Sequence, residues 1–177
     1  MTSHGLSHFE LAAVLQVIGD ARRPEAVGAD FGAYAGVERP TLDLDHFKQV
    51  NDRHGHIVGD EVLCAAVHNM KDATCGIDLI GRWGGEEFVI LLPQANAATA
   101  QIVAERIRAN IHKPTPLSDP SKHISFTASL GIAIGYPGDS VEDIFRRADN
   151  ALYRAKSAGR NCIRSAPFEP SNQRKGE

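Results

Sequence analysis

Two apolar runs, Ile77 to Trp83 and Phe88 to Leu92, are separated only by Gly84-Gly85-Glu86-Glu87. A glycine pair between two strand-like runs predicts a β-hairpin, because glycine enters positive-φ turns without the steric cost of a Cβ. The turn also sets two adjacent carboxylates at the lip of a buried strand. The rest of the chain has to explain why they are there.

Thr41 to Asp45 alternates as a short strand would, with Asp43 and Asp45 on one face. Just upstream, Val37-Glu38-Arg39-Pro40 reads poorly as a continuation of this strand. Proline has no ladder donor, and a buried charged pair is costly, so Leu42 to Asp45 could be all that remains. Helices are predicted over Phe9–Ala21, His46–Arg53, from near Asp60 through Met70, Ala97–Ile111 and Ser140–Ala158, each from apolar residues recurring every three or four positions. Ser140 is a candidate N-cap with Asp143 completing an acidic capping box, and Gly159 is a stop. Lys113–Lys122, with three prolines, reads as loop. Ile124–Tyr136 reads as a strand, Asn161–Arg164 as a last strand, and Ser165–Glu177 as a polar tail. From Thr41 the order is β-α-α-β-β-α-β-α-β, which predicts an α/β (α+β) fold: a ferredoxin-related mixed sheet flanked by helices.

The 177 residues suffice for one domain with a core. A net charge of −3 argues against broad nucleic-acid binding. Cys64, Cys75 and Cys162 form no CxxC pair, which favours a reduced, cytoplasmic setting. The first residues lack a charged lead followed by an apolar core, and no apolar run nears the roughly 20 residues of a membrane span. No membrane and no nucleic-acid partner are therefore expected.

If the hairpin packs beside the Thr41–Asp45 strand, Asp43 and Glu86 meet at one sheet edge. Clustered carboxylates repel unless a cation lies between them, and magnesium takes one or two carboxylates and leaves the rest to water and phosphate. Alone, either acidic pair reads as solvated turn residues. Lys48, about one and a half helical turns past Asp43, is within reach of phosphate. Asn51, His56 and Asp60 follow. Asp60 can accept from a guanine edge and Asn51 can both donate and accept, although Asn51 also reads as a helix end and His56 as part of a turn. Lys156 and Arg160, four apart at a helix end, are either a phosphate clamp or cations favoured by the helix dipole.

DLDHFKQVNDRHGHIVGDEVL (Asp43–Leu63), RWGGEEF (Arg82–Phe88), SLGIA (Ser129–Ala133) and ADNALYRAKSAGRN (Ala148–Asn161) together resemble a diguanylate cyclase, or GGDEF-type, domain over about residues 41–164. The resemblance implies a palm-like fold of the nucleotidyl-cyclase type. It implies condensation of two GTP into cyclic di-GMP with release of two pyrophosphates, and two magnesium ions per site, with manganese as a substitute. Asp43, Glu86 and the carbonyl of Leu44 match the family's metal ligands, with Glu87 a further contact. Glu86 matches the base for the 3′-hydroxyl. Lys48 matches the residue that stabilises phosphate charge, helped by Lys156 and Arg160. Asn51 and Asp60 match the guanine readers, His56 lines the site, and Gly84 and Gly85 leave room for the nucleotide. Each domain holds one GTP and the product is two-fold symmetric, so turnover requires a homodimer.

Two positions depart from the family pattern. The inhibitory RxxD site has Cys75 where its arginine belongs, with Asp78 retained. A thiol cannot make a guanidinium's bidentate contacts, so product inhibition should be weak or absent. The family's DxLTGLxNRR stretch is at best a remnant at Ser3–Leu6, which makes 1–40 a divergent N-terminal segment with no length for a separate sensory domain. The expected organisation is 1–40, a catalytic domain over 41–164 and a tail over 165–177. Intact Lys48, Glu86 and Glu87 favour an active cyclase. The divergent start favours a degenerate domain that binds GTP or a protein partner without turnover. A third reading is another palm-type nucleotidyl transferase, which a trial of ATP would expose.

Overall fold

A computed structural model describes residues 38–167 apart from 94, 120, 122, 137 and 138. The helix expected over Phe9–Ala21 and most of the expected terminal segments lie outside the described residues. Five strands form one sheet in the order β2-β3-β1-β6-β7. These are β1 (Glu38–Asp45), β2 (Leu79–Gly84), β3 (Glu87–Leu91), β6 (Thr127–Ile134) and β7 (Ile163–Ser165). All neighbours are antiparallel except β6 and β7. Helices α1 (Phe47–His54), α2 (His56–Lys71), α3 (Ala97–Ile111) and α4 (Val141–Ser157) cover it. This is the mixed, helix-flanked sheet that the element order predicts.

β1 is central and buried on both faces. Leu42 and Leu44 point into the main core with Phe88, Ile90 and Leu130, closed by Val62, Ala66 and Met70 of α2 and Ala104, Ile107 and Ile111 of α3. Burying each large apolar side chain contributes about 1.5–3 kcal/mol. The opposite face carries Thr41, Asp43 and Asp45, paired in register with Gly131, Ser129 and Thr127. α4 lies on this side. A Cβ on Gly131 would sit 2.2 Å from the Ala148 carbonyl and 2.3 Å from the Leu152 amide, so glycine lets the helix backbone touch the sheet.

Four expectations need correction. β1 starts at Glu38, well before Leu42. Leu44 N–H donates toward the hairpin, to Glu86 O at 3.3 Å, and Pro40 shares that edge. The β1–β3 register covers only Thr41 to Asp43, so proline forfeits no bond there, while β6 pairs with β1 from Glu38 onward. The side chains of Glu38 and Arg39 lie outside the described residues. Second, α2 begins at His56 rather than near Asp60. Gly55, at φ +85, ends α1 and opens α2 in one residue, and Ile57 is exposed, so the first turn lacks an apolar stripe to read. Third, the Lys113–Lys122 stretch contributes β4 (Thr115–Pro116), which pairs with β5 (His123–Ile124) in a small ribbon. Fourth, the strand expected over Ile124–Tyr136 is broken in two around Ser125-Phe126.

The α4 cap forms as expected: Ser140 Oγ accepts from Asp143 N–H at 3.1 Å. Asn96 caps α3 in the same way through Thr99 N–H at 2.9 Å. Among the described residues no helix is long and apolar enough to cross a membrane.

Candidate active site

The end of β1, the β2–β3 hairpin and the C-terminal turn of α4 converge at one sheet edge. Asp43 pairs in register with Glu87, and the backbone of Glu86 accepts from Leu44 N–H. In an antiparallel strand one residue's N–H and C=O share an edge, so the Leu44 carbonyl also faces the hairpin, past the last β1–β3 pair. The structure thus gathers Asp43, Leu44, Glu86 and Glu87.

Asp43 is only 7 % exposed. Its Oδ2 lies 2.8 Å from Lys156 Nζ on α4. Burial pushes the Asp43 carboxyl above its ordinary range; Lys156 pulls it back, while Glu86 and Asp45 add to the rise. Glu87 is more open but its carboxyl is also pushed up, chiefly by partial desolvation and then by the charge of Asp43. Asp149, two helical turns before Lys156 and on the same face of α4, is pushed up by desolvation and countered by Lys156. One lysine therefore serves an acidic cluster.

The hairpin is held to α4. Its register shifts between Arg82 and Gly84, and Trp83 at that bulge packs on Phe145 with ring centroids 4.9 Å apart. Arg82 Nε donates to Gly85 O at 2.9 Å across the tip. Gly85 has φ +51, which only glycine adopts freely. Gly84 has no such constraint, and a Cβ there would meet no protein atom within 4 Å. A groove of about 570 Å³ runs from the hairpin along α4, lined by Thr41, Trp83, Glu87, Phe145, Asp149 and Asn150.

The second group of candidates sits on the α1–α2 corner. Lys48, His56 and Asp60 are exposed and Asn51 is half-buried. Asn51 Oδ1 occupies the space beside Gly59, 1.9 Å from where a Cβ would stand, which brings the Asn51 amide to the residue preceding Asp60. Arg160 is exposed beyond the end of α4 at φ 64, and Asn161 follows at φ 44. A left-handed non-glycine residue costs about 1–2 kcal/mol. That cost is offset by Asn161 N–H donating to Asp45 Oδ2 at 3.0 Å and by Arg108 Nη1 donating to Asn161 Oδ1 at 2.7 Å.

Two residues were given no site role by the sequence. Asp45 is 5 % exposed and fully bonded; its place two residues from Asp43 was the available signal. Asp149 could have been found from its seven-residue spacing to Lys156. Away from this edge, Cys75 N–H and Sγ both engage Asp78 Oδ2, at 2.8 and 3.0 Å, and that bond pushes the thiol pKa up. Asp78 is thus turned onto its own loop.

The family model for the diguanylate cyclase GGDEF domain matches residues 41–162. The chain is 44 % identical over 125 residues to the diguanylate cyclase DgcM of Escherichia coli K12, covering 71 % of this chain and 30 % of that protein. It therefore spans under a third of that relative's length. Among solved structures it resembles the active GGEEF domain of a diguanylate cyclase from Vibrio cholerae (TM-score 0.68, 34 % identity, 76 % of this chain and 85 % of that one). It also resembles the GGDEF domain of DgcB from Caulobacter crescentus, a structure in complex with cyclic di-GMP (TM-score 0.69, 32 % identity, 73 % and 77 %).

Proposed function

The chain belongs to the diguanylate cyclase GGDEF-domain family, and from that premise we propose that it condenses two GTP into cyclic di-GMP and two pyrophosphates, with one GTP on each of two facing subunits. The proposed catalytic domain is 41–164, flanked by segments 1–40 and 165–177. The observation that carries the reading is a desolvated Asp43 beside the hairpin acids, with Lys156 as its cation.

A divalent cation suits this donor set. Buried carboxylates need positive charge close by, and here a single lysine on a flexible stem supplies it. Among the described residues no three acidic, His or Cys side chains enclose a metal by themselves. Magnesium takes few protein ligands and fills the remaining positions with water and phosphate. Asp43, Glu86, Glu87 and the Leu44 carbonyl would hold the ions, magnesium or manganese. When bound, they supply charge neutralisation on the phosphates and acidify the attacking hydroxyl.

The chain's own residues do the rest. Glu86 takes the proton from the 3′-hydroxyl. The new 3′-O–P bond forms at the α-phosphorus of the facing GTP as its α–β P–O bond breaks and pyrophosphate departs. Lys48, Lys156 and Arg160 neutralise the charge that gathers on the phosphates. Asn51 and Asp60 read the guanine edge, His56 lines the site, and Gly84 and Gly85 admit the nucleotide to the backbone. The β1–β6 ladder runs from Glu38, so the strand that presents Asp43 is longer than Leu42–Asp45, which supports the active reading over a binding-only domain.

The test is incubation of the full chain with GTP and magnesium across protein concentrations. Cyclic di-GMP should form, and the rate per subunit should fall on dilution. ATP should be rejected by about 10⁴-fold, because Asn51 and Asp60, once covered by the bound base, are left unpaired by the wrong one. GTP binding without product would instead mark a degenerate domain.

A further inference from the structure

We propose that Asp45 is a positioning residue: its carboxylate holds the left-handed turn Gly159–Asn161 and so sets Arg160 beside Lys156, opposite Asp43. The site roles given above to Asp43, Lys156 and Arg160 do not involve Asp45. It is nonetheless among the few buried charged side chains, at 5 % exposure. Thr127 Oγ1 donates to its Oδ2 at 2.6 Å and Ser129 Oγ to its Oδ1 at 2.7 Å. These two β6 hydroxyls fix the carboxylate plane, and Oδ2 then also accepts from Asn161 N–H at 3.0 Å.

The turn it holds is unusual. Gly159, Arg160 and Asn161 have φ of +107, +64 and +44 in succession. Non-glycine residues persist in this region only where the surroundings over-determine them. Asn161 is gripped from both sides: by Asp45 on β1 through its N–H, and by Arg108 on α3 through its Oδ1. Arg108 is itself held by Glu105, at 3.0 and 2.6 Å. Arg160 sits between Asn161 and the helix end that bears Lys156, so its direction depends on that grip. Asp43 and Asp45 lie on one face of β1, two residues apart. One takes Lys156 and the other takes the turn carrying Arg160. The strand that presents the acidic ligands therefore also sets the spacing of the cations that meet the phosphates.

The nucleotide consequence rests on the cyclase reading; the hold on the turn does not. The experiment combines amide exchange at Asn161, measured by NMR on the full chain, with steady-state kinetics and GMP binding for Asp45→Asn. Asn161 exchange should quicken and KM for GTP should rise, each about 10-fold for loss of a charge-assisted bond. The value of kcat should change less, and GMP affinity should stay as in wild type, because the proposed guanine readers Asn51 and Asp60 make none of the bonds to Asp45. Should Asp45→Asn fail to fold, Arg108→Gln loosens the same turn from outside the β1 face and should move exchange and KM the same way by a smaller factor. Unchanged exchange, unchanged KM, or GTP and GMP affinities falling together would overturn the proposal. Absence of GTP binding by the wild type would sink the cyclase reading instead, and Asn161 exchange would still decide whether Asp45 holds the turn.

Discussion

Lys156 Nζ lies 2.8 Å from Asp43 Oδ2, which ties the last turn of α4 to the central strand at the lip of the hairpin. Lys156→Ala leaves a desolvated carboxylate without its cation. We predict a stability loss of about 1–3 kcal/mol near pH 7.5, from the cost of an unpaired buried group. The loss should be smaller at pH 5 than at pH 7.5, because the raised Asp43 carboxyl takes up its proton more readily as pH falls. Urea unfolding at the two pH values checks this; an equal loss at both would mean that Asp43 charge is not the cause.

Gly59 tests the guanine corner. A Cβ there would stand 1.9 Å from Asn51 Oδ1, the mobile end of a side chain, with no backbone in conflict. Gly59→Ala should therefore fold with a melting temperature close to wild type while displacing the Asn51 amide. The predicted result is GTP affinity down about 10-fold with pyrophosphate affinity unchanged, the size of one lost hydrogen bond to the base. Titration calorimetry with both ligands reads it, and unaltered GTP affinity would remove Asn51 from the reader role.

The acidic cluster predicts a pH effect of definite sign. Asp43, Glu87 and Asp149 all have raised carboxyl pKa values, each chiefly through desolvation. In the window from the ordinary carboxylate range up to these raised values, the native state holds more protons than the unfolded chain, so stability falls as pH rises through it. Magnesium should relieve this cost only where the groups are ionised. Thermal melts should show a larger magnesium-induced rise in Tm near pH 7.5 than near pH 5, and a rise independent of pH would contradict the assignment.

Cys75 replaces the arginine of the inhibitory motif, and Asp78 is already engaged by the Cys75 N–H and thiol. Initial rates should be nearly insensitive to added cyclic di-GMP. Potent inhibition that disappears in Asp78→Ala would show that the site works without its arginine.

Much of the fold was legible because the core residues follow simple periods. Phe88 and Ile90 alternate into one core face, and Ala100, Val103, Ala104, Ile107 and Ile111 recur along α3; all are buried. The parts that were not legible depend on contacts remote in sequence. The length of β1 is set by β6, about 90 residues away, whose ladder tolerates Pro40 because β3 has already stopped. The early start of α2 rests on Gly55 serving two helices, a backbone conformation with no hydrophobic signature. The acids of the hairpin stood out by themselves. Asp45 and Asp149 did not, since Asp45 takes its partners from β6 and the turn after α4, and Asp149 matters only once α4 lies against the hairpin edge.

The central claim is that the hairpin acid Glu86, beside Asp43, performs the chemistry on bound GTP. It is tested most directly by cyclic di-GMP formation from GTP and magnesium in wild type and Glu86→Gln side by side, with GTP affinity measured on both. Wild type should form product and Glu86→Gln should lose about 10³-fold or more, the scale of a missing general base, with GTP still bound. Product formed at the wild-type rate by Glu86→Gln would contradict it.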